Sequence, residues 1–285
     1  MDFQTLQFFC TVASEGSLSK AAQKLHYAQS NLSTKIMQLE KEMGSSLFYR
    51  NNHGVTLTPK GELLLKYAVN LTNLAEETMV AMRDDGTAKG TLNIGSMEST
   101  VVTYLSSFLK QYHRRNPEVA IKVDTGNTET LLQKVLDHTL SGAFVAGPVG
   151  YSELITKQVQ TEKLCLIVSR DPDHHRNTHD ILQQPLLVFP QGCSYRKIFE
   201  FWLRDEGLTA RKIYEFSTLN AIFASATAGL GAALFPEACI QQYRQKDALM
   251  VLNIPEQYAF VPTVFVYRTD SYLSGALSSF IDSIK

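Results

Sequence analysis

A stretch of predicted helix near the N-terminus carries an unusual row of short hydrogen-bonding side chains. Apolar residues recur there at three- and four-residue spacing, and they form the stripe Ala28, Leu32, Ile36, Leu39 and Met43. The polar face begins with Gln29, Ser30, Asn31, Ser33 and Thr34. An ordinary exposed helix face would use Glu and Lys, which have better helix propensity. Short amides and hydroxyls instead suit hydrogen bonding to nucleic acid, since glutamine pairs with adenine in a bidentate manner and serine or threonine serves bases or phosphates.

Basic residues surround this row although the chain as a whole is nearly neutral. The 285 residues carry a formal net charge of −1. Between Ser17 and Lys60 six basic residues stand against two acidic ones, a local charge of +4. The basic residues are Lys20, Lys24, Lys35, Lys41, Arg50 and Lys60, and the acidic ones are Glu40 and Glu42. Such a module fits phosphate-backbone binding, where each contact releases counterions. Charge alone fits a solvated surface as well, so the layout of the elements carries the argument.

The elements that must position the polar row follow one another closely. A first apolar stripe ends at Gly16, and Ser17 is placed to cap a second, short helix. A tight connection then leads to the helix with the polar row. The segments 47–50 and 55–57, joined by the turn-prone NNHG, predict a hairpin. The order predicts a winged helix-turn-helix domain over residues 1–58.

This layout assigns candidate DNA contacts. In a helix-turn-helix the second helix lies in the major groove with its N-terminal residues at the base edges. The hairpin would lie along the flanking backbone, with Arg50 reaching phosphate or the minor groove. The predicted DNA-binding residues are Ser19, Lys20, Gln29, Ser30, Ser33, Thr34, Lys35, Arg50 and Asn52.

A long helix is predicted next, over 59–88, with Thr58 as its N-cap and Pro59 in its first turn. It carries a heptad seam formed by Leu64, Ala68, Leu71, Ala75, Thr78 and Met82. Such a seam needs a partner, and we expect self-dimerisation; packing onto its own chain is the alternative. The segment DDGTAKG ends the helix and indicates a linker.

From residue 91 onward short apolar strands alternate with helices, which indicates βαβ units and a parallel sheet. Two such sets follow each other. We predict an α/β domain over 91–285 with two lobes and a cleft between them. Lobe I would comprise about 91–160 and 267–285, and lobe II about 161–266.

The N-terminal module resembles that of the LysR-type transcriptional regulators. The stretch that carries the resemblance is FCTVASEGSLSKAAQKLHYAQSNLSTKIMQLEKEMGSSLFYRNNHGVTLTPKGELLL. It has the family's Gly-Ser, Ala-Ala, Gln-Ser…Leu-Ser, Leu-Glu…Gly, Leu-Phe-x-Arg and Leu-Thr-x-x-Gly in order. Thr34 and Lys35 stand where many relatives carry Arg-Gln. With the seam helix and the two-lobed remainder, the resemblance extends over essentially the whole chain.

The resemblance implies an all-α winged helix-turn-helix with a long linker helix, and a C-terminal domain like the periplasmic binding proteins. It implies double-stranded promoter DNA as a partner, a small effector in the interlobe cleft, a tetramer built from two dimers, and RNA polymerase as a further candidate partner. The residues agree, because three strand-to-helix turns offer hydroxyls and free N–H groups suited to anions. The predicted effector-binding residues are Ser96, Ser99, Thr100, Asn127, Thr128, Ser194, Arg196, Ser217 and Thr218. Simple N-capping is the alternative for each.

Two features resemble enzyme sites, but neither supports an enzymatic function. The segment DPDHHRNTHD places His174, His175 and His179 close together, but a polar surface loop explains it better than a metal site. Cys193 has no histidine or aspartate in local register, so a buried or cleft-lining thiol is expected. Phosphate-binding and nucleophile-elbow motifs are absent from the sequence. We expect no catalysis, no cofactor and no metal.

The leading hypothesis is a cytoplasmic regulator that binds promoter DNA and senses a small, anionic metabolite. The sequence has no signal-peptide pattern and no long apolar stretch, and its four cysteines form no CxxC pair. One rival is a small-molecule-binding protein or enzyme that acts through 91–285. A second rival is an architectural DNA binder without an effector.

Overall fold

The structure is a computed structural model that describes residues 1–51, 54–170, 178–210 and 212–284, with the backbone alone at 178 and 179. The chain divides into two compact units. The first comprises Met1–Asp84 together with Asp137–Thr139. The second comprises Asp85–Leu136 and the residues from Leu140 onward.

The first unit has the predicted element order. Its helices are α1 (Phe3–Glu15), α2 (Leu18–Lys24), α3 (Gln29–Met43) and α4 (Pro59–Arg83), and its hairpin is β1 (Phe48–Asn51) with β2 (Gly54–Leu57). The local signals act as expected. Ser17 accepts from the amide of Lys20 and caps α2, while Thr58 accepts from Gly61 and caps α4. Gly16 ends α1 in the left-handed conformation, with φ of 59°.

The hairpin and α4 approach the rest of the first unit so closely that two positions require glycine. A Cβ on Gly61 would lie 2.1 Å from the carbonyl oxygen of Leu47. A Cβ on Gly54 would lie 2.3 Å from the carbonyl oxygen of Gly16, which accepts from the amide of Val55. Backbone therefore packs on backbone at both ends of the wing, and this contact fixes the wing beside α1 and α4.

The second unit alternates strands and helices. Its first half contains β3 (Gly90–Ser96), α5 (Glu98–Thr100), a π-helical turn (Val101–Leu105), α6 (Ser106–Arg115), β4 (Val119–Thr125), α7 (Thr128–Leu136), β5 (Gly142–Ala146) and β6 (Leu154–Ser169). Its second half contains α8 (Thr178–Leu182), β7 (Leu186–Val188), α9 (Ser194–Asp205), β8 (Ile213–Glu215), α10 (Leu219–Thr227), β9 (Ala233–Pro236), α11 (Glu237–Gln242), a 3-10 turn (Lys246–Ala248), β10 (Leu249–Asn253), α12 (Glu256–Ala259), β11 (Phe260–Arg268) and α13 (Gly275–Ser283).

Two lobes arise from these strands. In lobe I, β3 pairs in parallel with β4 and β5, and β11 pairs antiparallel with β5 and with β6. In lobe II, the second half of β6 pairs antiparallel with β9 and β10, and β7 pairs in parallel with β8. The strands β6 and β11 run side by side from one lobe into the other. Their register shifts between Thr263 and Val264, at this crossing.

The structure differs from the sequence prediction in three places. The sequence prediction contains no counterpart of three elements, the strands β10 and β11 and the helix α13. The two strands pair only with strands that are remote in the chain. The segment ETLLQKVLDHTL predicts a helix over 129–140, but the helix α7 ends at Leu136. The return to lobe I falls a few residues before the predicted 267, because β11 already pairs with β5 at Thr263.

The outward face of α4 also differs from the predicted seam. Leu64 and Ala68 pack into the core of their own unit, so the alternative of own-chain packing holds for the first half of the seam. The exposed apolar residues of α4 are Leu63, Tyr67, Leu71, Leu74, Met79, Val80 and Met82. Three- and four-residue spacing fits both the buried stripe and the exposed stripe of α4. The predicted seam therefore contains residues of both. Within the described residues, α4 and the other helices are too short or too polar to cross a membrane.

Candidate functional site

The face of α3 that points away from the core carries the predicted polar row. Its buried side consists of Leu32, Ile36 and Leu39. Ser30 and Thr34 lie opposite and are exposed, and Met37 and Lys41 continue that face. The N-cap is Ala28, so no side chain caps the first amides of α3. The helix therefore begins with polar side chains and unused N–H donors at one exposed end.

The end of α2 nearest this row adds further exposed polar groups. Ser19, Lys20 and Gln29 are exposed, and the hydroxyl of Ser19 donates to Oε1 of Gln29 at 3.1 Å. This bond orients the Gln29 amide and leaves its NH2 group available. Ser33 and Lys35 are half-buried on the flanks of α3.

The charge of Lys35 acts on Asp2, which caps α1. The pKa of the Asp2 carboxyl is lowered mainly by hydrogen bonds from Thr5, and the charge of Lys35 lowers it further. Asn52, the remaining predicted DNA contact, lies outside the described residues.

Glu40 of α3 anchors the wing and its arginine. Its Oε1 accepts from the amides of Leu47 and Phe48, at 2.8 and 3.2 Å. Its Oε2 pairs with the Arg50 guanidinium at 3.2 Å. Arg50 keeps 40% of its side chain exposed, so this ion pair directs the guanidinium without burying it.

Not every basic residue of the +4 module is free. Lys24 forms an ion pair with Glu15 at 2.6 Å. Within the described part of the chain, Lys20, Lys41 and Lys60 make no ion pair, and Lys20 and Lys41 flank the polar row. The positive charge therefore remains where the short polar side chains are exposed.

A cavity of about 230 Å³ lies between the two lobes of the second unit. Lobe I contributes Glu98, Ser99, Asn127 and Thr128 to its walls, and lobe II contributes Tyr195 and Ser217. Apolar wall is supplied by Met97, Phe189 and Pro190. A cavity with apolar walls and a few converging polar groups is the usual form of a small-molecule site.

Hydrogen bonds join the lobes around this cavity. Oε2 of Glu98 accepts from the amide of Leu219 at 2.8 Å, at the start of α10. Nδ2 of Asn127 donates to the carbonyl of Gln191 at 2.9 Å. The hydroxyl of Ser194 donates to that of Thr128 at 3.1 Å. These are among the hydrogen bonds that hold the lobes in contact, together with that between the hydroxyls of Ser99 and Tyr195 at 3.2 Å.

The structure brings four of the nine predicted effector residues to the cavity wall: Ser99, Asn127, Thr128 and Ser217. Ser96 and Thr100 are fully buried and do not line it. Ser194 acts through its bond to Thr128, and Thr218 caps α10 by accepting from Ala221. The capping alternative therefore holds for Thr218.

Arg196, a predicted effector residue, does not line the cavity, because its guanidinium is paired elsewhere. It is 7% exposed and pairs with Glu200 at 2.8 Å and with Glu215 at 2.6 Å. It also donates to the carbonyl of Phe189. Glu200 stands one helical turn after Arg196, a spacing that favours such an ion pair.

Several residues of this region have no counterpart in the sequence prediction, among them Glu98, Tyr195 and Glu162. Glu98 lines the cavity, and its place in the first turn after a strand was the available signal. Tyr195 lines it as well, and its hydroxyl donates to the buried Glu162 at 2.6 Å. Burial and the adjacent Glu162 carboxylate raise the pKa of Tyr195 well above its usual value. Nothing local in the sequence connects residues 162 and 195.

The thiols are unsuited to nucleophilic chemistry. Cys193 is buried and lines the cavity, as expected, and burial raises its pKa. Burial likewise raises the pKa of Cys10 to about 11 and that of Cys239 well above its usual value. No group of metal-ligating side chains occurs among the described residues. His174 and His175, and the side chain of His179, lie outside that description.

Two family profiles match the chain. The family described as bacterial regulatory helix-turn-helix protein, lysR family, matches residues 3–62. The family described as LysR substrate binding domain matches residues 85–285. The chain therefore belongs to the LysR family, whose members are DNA-binding transcription regulators with an effector-binding domain, and not enzymes.

Individual relatives agree over the full length. The HTH-type transcriptional regulator GltR of Bacillus subtilis (strain 168) is 39% identical over 285 residues, covering 100% of this chain and 96% of GltR. The regulator CzcR of Bacillus thuringiensis subsp. konkukian (strain 97-27) is 40% identical over 287 residues, covering 100% of this chain and 97% of CzcR.

Solved structures share the fold. CbnR, a LysR family transcriptional regulator, gives a TM-score of 0.72 at 20% identity and covers 100% of this chain and 98% of its own. Full-length CbnR complexed with its target DNA gives 0.70 at 20% identity, covering 100% and 99%.

Proposed function

We propose that a small molecule in the interlobe cavity modulates the binding of this regulator to promoter DNA. The observation that carries the proposal is the cavity itself, about 230 Å³ between walls from both lobes. A ligand there replaces or strengthens hydrogen bonds that join the lobes. It therefore binds two lobe arrangements with different affinity, which is the only way a ligand shifts a population.

The exposed row on α3 is the part of the proposal that concerns DNA. Gln29, Ser30 and Thr34 read base edges in the major groove, while Lys20 and Lys41 neutralise phosphates beside them. Their exposure, the uncapped start of α3 and the nearby positive charge support this division. Arg50 contacts the flanking backbone from the wing.

The apolar stripe on α4 supports self-association. Tyr67, Leu74 and Met82 expose between 46% and 80% of their surface, which is unusual for large apolar side chains on one helix. A second copy of this helix covers the stripe in a dimer, and two dimers form the tetramer. Two recognition helices then bind one DNA site, and RNA polymerase beside the promoter is the further partner.

Sequencing of bound DNA tests the regulatory function. The full chain selects fragments from a genomic library, and isothermal titration calorimetry then scans a panel of organic acids, amino acids, sugars and nucleosides. We expect a defined operator motif and at least one ligand. Selected fragments without a common motif contradict sequence-specific regulation. Silence across the whole panel favours the architectural DNA binder.

A further inference from the structure

The walls of the interlobe cavity carry negative charge without a compensating cation. Glu98 is the acidic side chain among the lining residues, and no Lys, Arg or His from the described chain joins it there. Arg196, the basic residue expected at this place, is held by Glu200 and Glu215. An anionic ligand would therefore be buried beside a carboxylate, with no cation to offset the repulsion.

A second carboxylate stands behind the wall. Glu162 is 5% exposed, and its hydrogen bonds come from neutral donors: Tyr195, Thr103 and Gln160. Within the described residues no lysine or arginine pairs with it. Charges in so buried a place are weakly screened, so Glu162 adds to the negative potential inside the cavity.

Two of the helix N-termini beside the cavity, those of α7 and α10, are capped by the protein itself, whereas the N-caps of α5 and α9 make no side-chain hydrogen bond. The amide of Leu219 donates to Glu98, and that of Ala221 donates to the Thr218 hydroxyl. The amide of Thr130 donates to Oδ1 of Asn127 at 2.9 Å. These caps occupy donors at two of the turns on which the expectation of an anionic effector rested.

Glu98 itself has an unused acceptor. Its Oε2 holds Leu219 across the cleft, while its Oε1 makes no hydrogen bond within the described part of the chain. A neutral apolar ligand that filled the cavity would take water from Oε1 and leave it unpaired, which is costly for a charged group. An ammonium group would pair with Oε1 and leave the Leu219 contact in place.

We propose that the effector is a primary ammonium compound of amino-acid size, whose ammonium group binds Oε1 of Glu98. The inference rests on the proposed function and names the ligand class of the same cavity. A cavity of about 150 Å³ admits benzene, so 230 Å³ accommodates about nine non-hydrogen atoms. Because Glu98 also holds α10, the bound ammonium group becomes part of the link between the lobes.

Calorimetric titration of the full chain tests the ligand class. The probes are the proteinogenic L-amino acids other than proline, which has a secondary amine, each with two matched compounds: the amine that lacks the α-carboxylate and the carboxylic acid that lacks the ammonium group. We expect the tightest binding in the second set, because an amine brings the ammonium group without a carboxylate, and no binding in the third. If an amino acid and its matched amine both bind, the site recognises any such amine. If only the amino acid binds, the site recognises the amino acid as a whole.

Two variants locate the contact. Glu98→Gln keeps an oxygen acceptor for the Leu219 amide and removes the charge. We expect binding to weaken about 10- to 100-fold, the effect of losing one hydrogen bond to a charged group. Glu118→Gln removes the same charge from an exposed position outside the cavity and should leave the affinity unchanged.

The outcomes separate the two proposals. Equal binding by acids without an ammonium group, or binding unaffected by Glu98→Gln, overturns the ammonium proposal and leaves a ligand-responsive regulator in place. Silence of all three sets overturns the ammonium proposal too, while the broader panel with sugars and nucleosides still decides whether the regulator has an effector at all.

Discussion

The hydroxyl of Tyr195 donates to Oε2 of Glu162 at 2.6 Å, and the other oxygen of that carboxylate accepts from Thr103 at 3.2 Å. Tyr195 lies in the first turn of α9 in lobe II, Thr103 lies in the π-helical turn of lobe I, and Glu162 is on β6 where the strand crosses between the lobes. One buried carboxylate therefore holds groups from both lobes beside the cavity. Its hydrogen bonds are part of what sets the angle between them.

Removal of the Tyr195 hydroxyl should destabilise the second unit. Tyr195→Phe keeps the ring and leaves Oε2 of the buried Glu162 without its donor, which costs about 1–3 kcal/mol in the free energy of unfolding. Urea unfolding followed by tryptophan fluorescence measures this, since Trp202 is in the same helix. The control is Tyr258→Phe, whose hydroxyl pairs with the exposed Asp205. Equal losses in both variants would contradict the importance of burial at Glu162.

The close contact at Gly61 should make that glycine irreplaceable. Gly61→Ala places a methyl group 2.1 Å from the Leu47 carbonyl oxygen, so α4 must move away from the wing, at a cost of about 1–3 kcal/mol. Hydrogen exchange measured by mass spectrometry should report faster exchange in α1, α4 and the hairpin. Gly150→Ala meets nothing within 4 Å and serves as the control. Unchanged exchange in Gly61→Ala would show that the wing accommodates the methyl group.

Two residues of α3 should contribute to DNA binding in different ways, Gln29 by base readout and Lys41 by phosphate contact. Gln29→Ala should cost about 1–3 kcal/mol at one base pair and relax specificity there. Lys41→Ala should weaken binding to all sequences and lower the salt slope by about 1. Fluorescence anisotropy with the selected operator, its single-base variants and several salt concentrations measures both. A uniform loss for Gln29→Ala would make it a positioning residue instead.

The exposed stripe of α4 should control self-association. Leu74→Lys places a charge within the stripe and should shift the chain toward a smaller assembly in sedimentation velocity. Glu76→Lys introduces the same residue on the other side of the helix and should leave the assembly intact. Leu64 packs against the core of its own unit. A substitution at Leu64 should therefore lower the free energy of unfolding more than it affects association. Unchanged sedimentation of Leu74→Lys would place the interface on another surface.

Local chemistry determined most of the first unit, so the sequence predicted it well. Ser17, Thr58 and Gly16 act as caps where their residue types favour caps, and the stripe of α3 lies in the core. Of the predicted seam of α4, Leu64 and Ala68 pack into their own unit, and the rest stays a prediction. Two neighbouring stripes of one helix satisfy the same spacing, and only tertiary packing decides which of them faces the core.

The second unit was predicted in outline, and its site less completely. Helix starts after strands identified Ser99, Asn127, Thr128 and Ser217 as cavity residues. The direction of the Arg196 side chain depends on Glu215, which is remote in sequence, and the contact of Tyr195 with Glu162 depends on the crossing of β6 between lobes. Such long-range pairings leave no periodic signal in the chain.

Reciprocal linkage between the cavity and the operator tests the central claim most directly. The affinity of the bound ligand is measured by calorimetry with the free regulator and with the regulator saturated by its operator. We expect the two dissociation constants to differ by about 5- to 150-fold, and the ligand to change operator affinity by the same factor. Identical ligand affinity in the free and DNA-bound regulator would contradict the claim that the cavity controls DNA binding.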